Sequence, residues 1–153
     1  MADDLYDQDF YLWTQAQAAA LRARAGGANA LDYEHLADEV EDLGSAQRNK
    51  AESLTRLILQ HLYKLQACPD PQPVGHWRVE IENWRADLER VLTGAIRREL
   101  INNLDRIHAR AAKIAQTDIA NHEPSAVVAS DRRWTLPQIL GEADDLITPW
   151  TAI

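Results

Sequence analysis

Residues 32–67 read DYEHLADEVEDLGSAQRNKAESLTRLILQHLYKLQA, and how this stretch is read decides the fold. Leu36, Val40 and Leu43 recur at the three-and-four spacing that places side chains on one helix face, and Gln47, Ala51, Leu54, Ile58, His61 and Leu65 carry the same phase onward. Asp32 stands ahead of the apolar period, where an N-cap belongs, and acids crowd the first turns, where they match the positive end of the helix dipole. The stretch is therefore helical from Asp32 to Ala67, with Leu36, Val40 and Leu43 facing the core, and one long helix is one of two readings left open. Gly44-Ser45 could equally kink or break it.

Toward the N-terminus, a helix is expected over residues 8–24, with Tyr6, Phe10, Trp13, Gln17 and Leu21 along one side, Asp7 or Asp9 in its first turn and Gly26-Gly27 ending it. Toward the C-terminus, the prolines of CPDPQP stop the long helix and turn the chain back as a helix hairpin. A third helix over 74–93 presents Trp77, Ile81, Trp84, Leu88, Val91 and Leu92; a fourth over 95–118 presents Ile96, Leu100, Leu104, Ile107, Ala111 and Ile114. Residues 119–134 lack helical periodicity and read as a loop, after which Thr135 caps a short helix over 135–145 with Pro137 near its first turn. The expectation is all-α: a single-domain helical bundle over 1–153, with four main helices and a short C-terminal one.

A chain of 153 residues suffices for one hydrophobic core. Sixteen basic against twenty-four acidic side chains give a net charge of −8, which opposes sequence-independent attraction to nucleic acid or anionic lipid. No stretch approaches the roughly 20 apolar residues of a membrane span, and the N-terminus has no secretory pattern. The single cysteine, Cys68, precludes an internal disulfide and any cysteine-rich metal site. A cytoplasmic protein without nucleic-acid or membrane partners is the default expectation.

With the elements laid out, the chain resembles, almost end to end, the bacterial family named domain of unknown function 29. The resemblance rests on YDQDFYLW, LDYEHLADEVEDLG, LILQHLYKL, HWRVEIENWRADLERVL and WTLPQILGEADDL in that order and spacing. Position by position, the family pattern falls on Asp9, Trp13, Asp32, Glu39, Leu43, His61, Lys64, Trp77 and Arg85. The resemblance implies an all-helical fold and supplies no activity. Two departures stand out: Asp38-Glu39 where the family tends to have paired glutamates, and Gln66 where it tends to have a tryptophan.

His61 is the conspicuous polar residue of the apolar stripe. It should point inward as a neutral, hydrogen-bonded imidazole, level with Ile81, Trp84 and Arg85 of the returning helix. Arg85 has the fork to clamp a carboxylate such as Glu39, which lies at the border of its own apolar face; together with His61 they form the candidate cluster for any catalysis. For a metal, the candidates are His61, Asp105 and His108, but Asp32-His35 and Asp105-His108 flank the stripes instead of converging. No metal or cofactor is expected. Asp9, Trp13, Asp32, Lys64, Trp77 and Trp84 read as structural or interaction residues, with Trp13, Trp77 and Trp84 turned inward and Trp134 and Trp150 flanking the last helix. No hydrolase elbow, phosphate loop, dinucleotide turn, zincin or paired cysteine motif occurs, which leans away from an enzyme. The preferred reading is a helical protein that works by binding a protein partner or itself; the alternative is a minor enzyme or metal binder using the His61, Glu39 and Arg85 cluster.

Overall fold

The stretch that opens at Asp32 is a single unbroken helix of 35 residues, Tyr33–Ala67. The computed structural model describes residues 2–26, 31–68 and 72–145; Gly27, Pro69, Pro71 and Trp150 lie outside them. In chain order the helices are α1 (Ala2–Gln8), α2 (Phe10–Ala23), α3 (Tyr33–Ala67), α4 (Gln72–Val91), α5 (Gly94–Asn102), α6 (Leu104–Ala120) and α7 (Leu136–Leu140). No strand occurs among the described residues, so the protein is all-α.

The first expected helix begins at Phe10 as α2 and is preceded by a further one, α1; between them the Asp9 backbone leaves the helical region (φ −151°, ψ 87°) so that its side chain can cap α2 by accepting from Leu12 N at 3.0 Å. The fourth breaks at Asn103 (φ −103°, ψ 6°), which stands at the N-cap of α6. The short last helix ends earlier than expected, at Leu140, because Gly141 takes the left-handed conformation (φ 78°) that closes a helix at low steric cost. Its start is as expected, with Thr135 and Gln138 forming a reciprocal capping box.

The chain divides into two compact units, residues 1–51 with 91–99, and residues 52–90 with 100–153. In the first, the buried side of α3 is made by Ala37, Gly44 and Ala51, and α2 buries Tyr11, Thr14 and Ala18. These small residues let the helices approach closely: a Cβ added to Gly44 would overlap the Thr14 hydroxyl and lie 3.3 Å from Tyr11. Gly44 is thus a contact residue and not a hinge. This placement corrects two stripes. Leu36 and Leu43 are 42% and 57% exposed, and Tyr6 is 50% exposed. Phe10, Trp13 and Leu21 are only half-buried. The bulky period marks the border of each face, and the tightest packing falls beside it on glycine, alanine and threonine.

In the second unit every residue of α3 from Ile58 to Leu65 is buried, so this half of the helix is its central strut. Around it lie Ile81 and Leu88 of α4 and Ile107, Ala111, Ala112, Ala115 and Ile119 of α6, each fully or almost fully buried. The loop after α6 is tied down by Gln116, whose amide donates to Ala126 O at 3.1 Å and accepts from Val128 N at 2.8 Å. Behind it Trp134 is 1% exposed and donates its indole N–H to Asp145 O at 2.7 Å.

Candidate functional site

In the first unit, the N-terminal half of α3 carries a cluster of acidic side chains and exposed leucines. Asp32 caps the helix, accepting from His35 N at 3.2 Å, and its second oxygen meets His35 Nδ1 at 2.5 Å. That contact raises the His35 imidazole and lowers the Asp32 carboxyl relative to their ordinary values, chiefly through the shared hydrogen bond. Between the exposed Leu36 and Leu43 stands the exposed Glu39. Asp38 and Glu41 are bound by Arg22 of α2 at 2.8 and 2.6 Å. Asp9 does more than cap α2. It is 8% exposed, and its second oxygen accepts from Ala95 N at 2.9 Å, so one carboxylate terminates both α2 and α5.

In the second unit, His61 is 8% exposed and its Nε2–H donates to Glu80 Oε2 at 2.6 Å, while Glu80 Oε1 stands 3.4 Å from His76 Nε2. The partner comes from the returning helix α4, one residue outside the segment expected to face His61. Trp84 and Trp77 meet the imidazole edge-on at 4.7 and 6.1 Å between centroids. Burial pushes the imidazole below its ordinary range, the Lys64 ammonium pushes the same way, and Glu80 only partly opposes them. Nδ1 is buried and meets no hydrogen-bonding partner. One turn along, Lys64 is 6% exposed, bonds Asp118 at 2.7 Å and lies over Trp77 at 4.7 Å from the ring centroid. That pairing holds the Asp118 carboxyl below its ordinary value. Trp77 and Trp84, like Trp13, are half-buried instead of fully inward.

Arg85 does not clamp Glu39, which belongs to the first unit. Its Nε donates to Ile139 O at 2.8 Å and its Nη2 to Gln138 O at 3.0 Å, while Nη1 pairs with Glu82 at 2.6 Å. The guanidinium therefore caps the carbonyl end of α7, where a helix leaves acceptors unsatisfied and favours positive charge. Within the second unit His61 and Arg85 thus have different partners, Glu80 for the imidazole and the end of α7 for the guanidinium.

The metal candidates do not converge either. Asp105 is exposed, 3.4 Å from Arg133. His108, expected beside its stripe, lies in the core at 1% exposure, its Nε2–H donating to Trp134 O at 2.9 Å and its Nδ1 lying 2.9 Å from the Tyr63 hydroxyl. That hydroxyl also lies 2.7 Å from Arg132 O, so its one proton serves one acceptor at a time. The reason His108 is buried is the loop: folding Trp134 and Arg132 over α6 brings backbone carbonyls inside, and they require donors. No helical period announces a loop's carbonyls. Among the described residues, no three His, Cys, Asp or Glu side chains group as a metal site.

An all-α protein with interior polar ties and an exposed acidic helix face is the class these observations define. The chain belongs to the family described as Domain of unknown function DUF29, whose model matches residues 5–143. It is similar to an alpha-helical protein of unknown function from Rhodospirillum rubrum, at 28% identity over 90% of this chain and 89% of that one, with a TM-score of 0.76. Comparison with curated proteins gives no match. No helix among the described residues is long and apolar enough to cross a membrane.

Proposed function

We propose that this protein is a binding module working in the cytoplasm, and that the outer face of α3 receives a basic amphipathic helix from a partner protein. The observation that carries the reading is the exposure of Leu36 and Leu43, one heptad apart with Val40 between them, on a surface where an isolated leucine would mean little but a repeated one marks a contact face. Residues 33–47 contain five acids and no lysine or arginine, and Glu39 sits between the leucines. A second copy of this face would bring like charges together. A helix with leucines on one side and lysines or arginines flanking them is complementary in both shape and sign.

The test is fluorescence anisotropy with a labelled synthetic helix of that pattern, alongside the same helix with acids at the flanking positions. The basic helix should bind and weaken as salt rises, the acidic one should not, and L36S/L43S or E39K should weaken binding by about tenfold or more. Equal binding of both peptides, or variants that bind like the wild type, would overturn the reading.

A further inference from the structure

We infer that the pocket at the C-terminal turns of α3 and α6 and the first turns of α4 binds a small zwitterion of amino-acid size, independently of the α3 face. The pocket has a volume of about 340 Å³, and its walls include Lys64, Pro73, Trp77, Asp118, Ile119 and Glu123. That is near the lower end of the roughly 300 to 1,000 Å³ typical of small-molecule sites, which limits the ligand to a compact one.

The polar wall sets its chemistry. Lys64 is almost entirely buried, and taking an ammonium out of water is costly enough that an ion pair with Asp118 and contact with Trp77 do little more than offset it. Stability alone is thus a poor reason for a charged pair here. What the pair offers is a cation and an anion side by side on a pocket wall. Of the three Lys64 N–H groups one is used by Asp118 Oδ2, and Asp118 Oδ1 is left over. A ligand carboxylate can take the first and a ligand ammonium the second.

Net charge excludes the simpler ligands. With His122 of the same wall counted as neutral, Lys64 against Asp118 and Glu123 leaves one formal negative charge in excess, which disfavours a plain anion. The negative ends of α3 and α6 add to that field, and the positive end of α4 offsets part of it. A plain cation could reach Asp118 Oδ1 only beside the Lys64 ammonium, which repels it and which it leaves without a new partner. Carrying both charges satisfies both groups. The remaining wall, Trp77, Pro73 and Ile119, suits an aliphatic or aromatic side chain.

The test is a nitrogen-edited NMR titration of the full chain with L-leucine, L-methionine and L-phenylalanine. Two truncated probes accompany them: 3-methylbutylamine, which lacks the carboxylate, and 4-methylpentanoate, which lacks the amine. At least one amino acid should shift the Trp77 indole and the Lys64 and Asp118 amides saturably, with both truncated probes weaker by about tenfold. Lys64→Met should abolish the shifts. Because that change also strips Asp118 of its partner, Glu123→Gln at the half-buried rim is the second variant, expected to weaken binding severalfold with an unchanged spectrum elsewhere. No saturable shift with any of the three amino acids, a truncated probe binding as tightly as they do, or both folded variants binding like the wild type would overturn the proposal. None of these results bears on the α3 face, whose leucines lie outside the pocket.

Discussion

His61 stands in a run of leucines because its Nε2–H has a carboxylate from the next helix to donate to, and a leucine would leave Glu80 without that bond. Glu80 is itself one-third exposed and can turn to water, so His61→Leu should cost only about 1 kcal/mol, with His61→Gln losing less. Urea denaturation of the three proteins checks the order; equal midpoints would show that the bond contributes nothing. The same imidazole sets a pH dependence. Its folded pKa lies below the ordinary value near 6.5, so at mildly acidic pH the unfolded chain binds more protons than the folded one. The stability it contributes is complete above about pH 6.5 and is lost as pH falls toward the folded value. His108 is shifted the same way, chiefly by burial, while the exposed His35, raised by Asp32, works in the opposite direction, so the sharp expectation is the difference: His61→Gln should lose less stability than the wild type as pH falls from about 7 to 5. An identical slope in both proteins would mean that His61 does not titrate on unfolding.

Helices here are ended and joined by side chains that periodicity alone does not reveal. Asp9 serves two N-termini and Asp32 one backbone N–H, so Asp9→Ala should destabilise by about 2 kcal/mol and Asp32→Ala by about 1, a ranking readable in thermal midpoints. Gly44 gives a sharper contrast. Helix propensity favours alanine over glycine by about 1 kcal/mol, yet the added methyl would overlap the Thr14 hydroxyl, which is held by Tyr11 O at 2.7 Å. Overpacking should win, and Gly44→Ala should lower stability by about 1 to 3 kcal/mol; a higher melting temperature would show that α2 yields easily. These elements also show what was legible in the sequence. The Asp32 and Thr135 caps and the burial of His61 opposite α4 follow from patterns local to one helix, whereas those patterns left open whether α3 runs unbroken through Gly44. The second bond of Asp9, the burial of His108 and the real partner of Arg85 depend on segments far away in sequence: Ala95, the Trp134 loop and the end of α7. The pattern also placed Leu36 and Leu43 in the core, because it counts apolar bulk, whereas close helix contact selects small residues.

Across the whole molecule the excess of acid decides which charged partners are admitted. A net charge of −8 repels a phosphate backbone, and several basic side chains are already engaged: Arg22 with Asp38 and Glu41, Arg78 with Asp145, Arg85 with α7, Arg106 with Glu52. Arg110 and Lys113 are exposed along one face of α6, but two cations neutralise too few phosphates to hold a duplex against that field. The two charge-dependent outcomes are therefore opposite. Duplex DNA should show no appreciable binding at physiological salt in an anisotropy titration, and lowering the salt should not rescue it, since weaker screening strengthens the repulsion as well as the local attraction. A basic helix offered to α3 should bind more tightly under the same dilution. Sub-micromolar DNA binding with a steep salt slope would mean that the Arg110–Lys113 face outweighs the acidic surface, and that the field of the whole chain is the wrong guide to its partners.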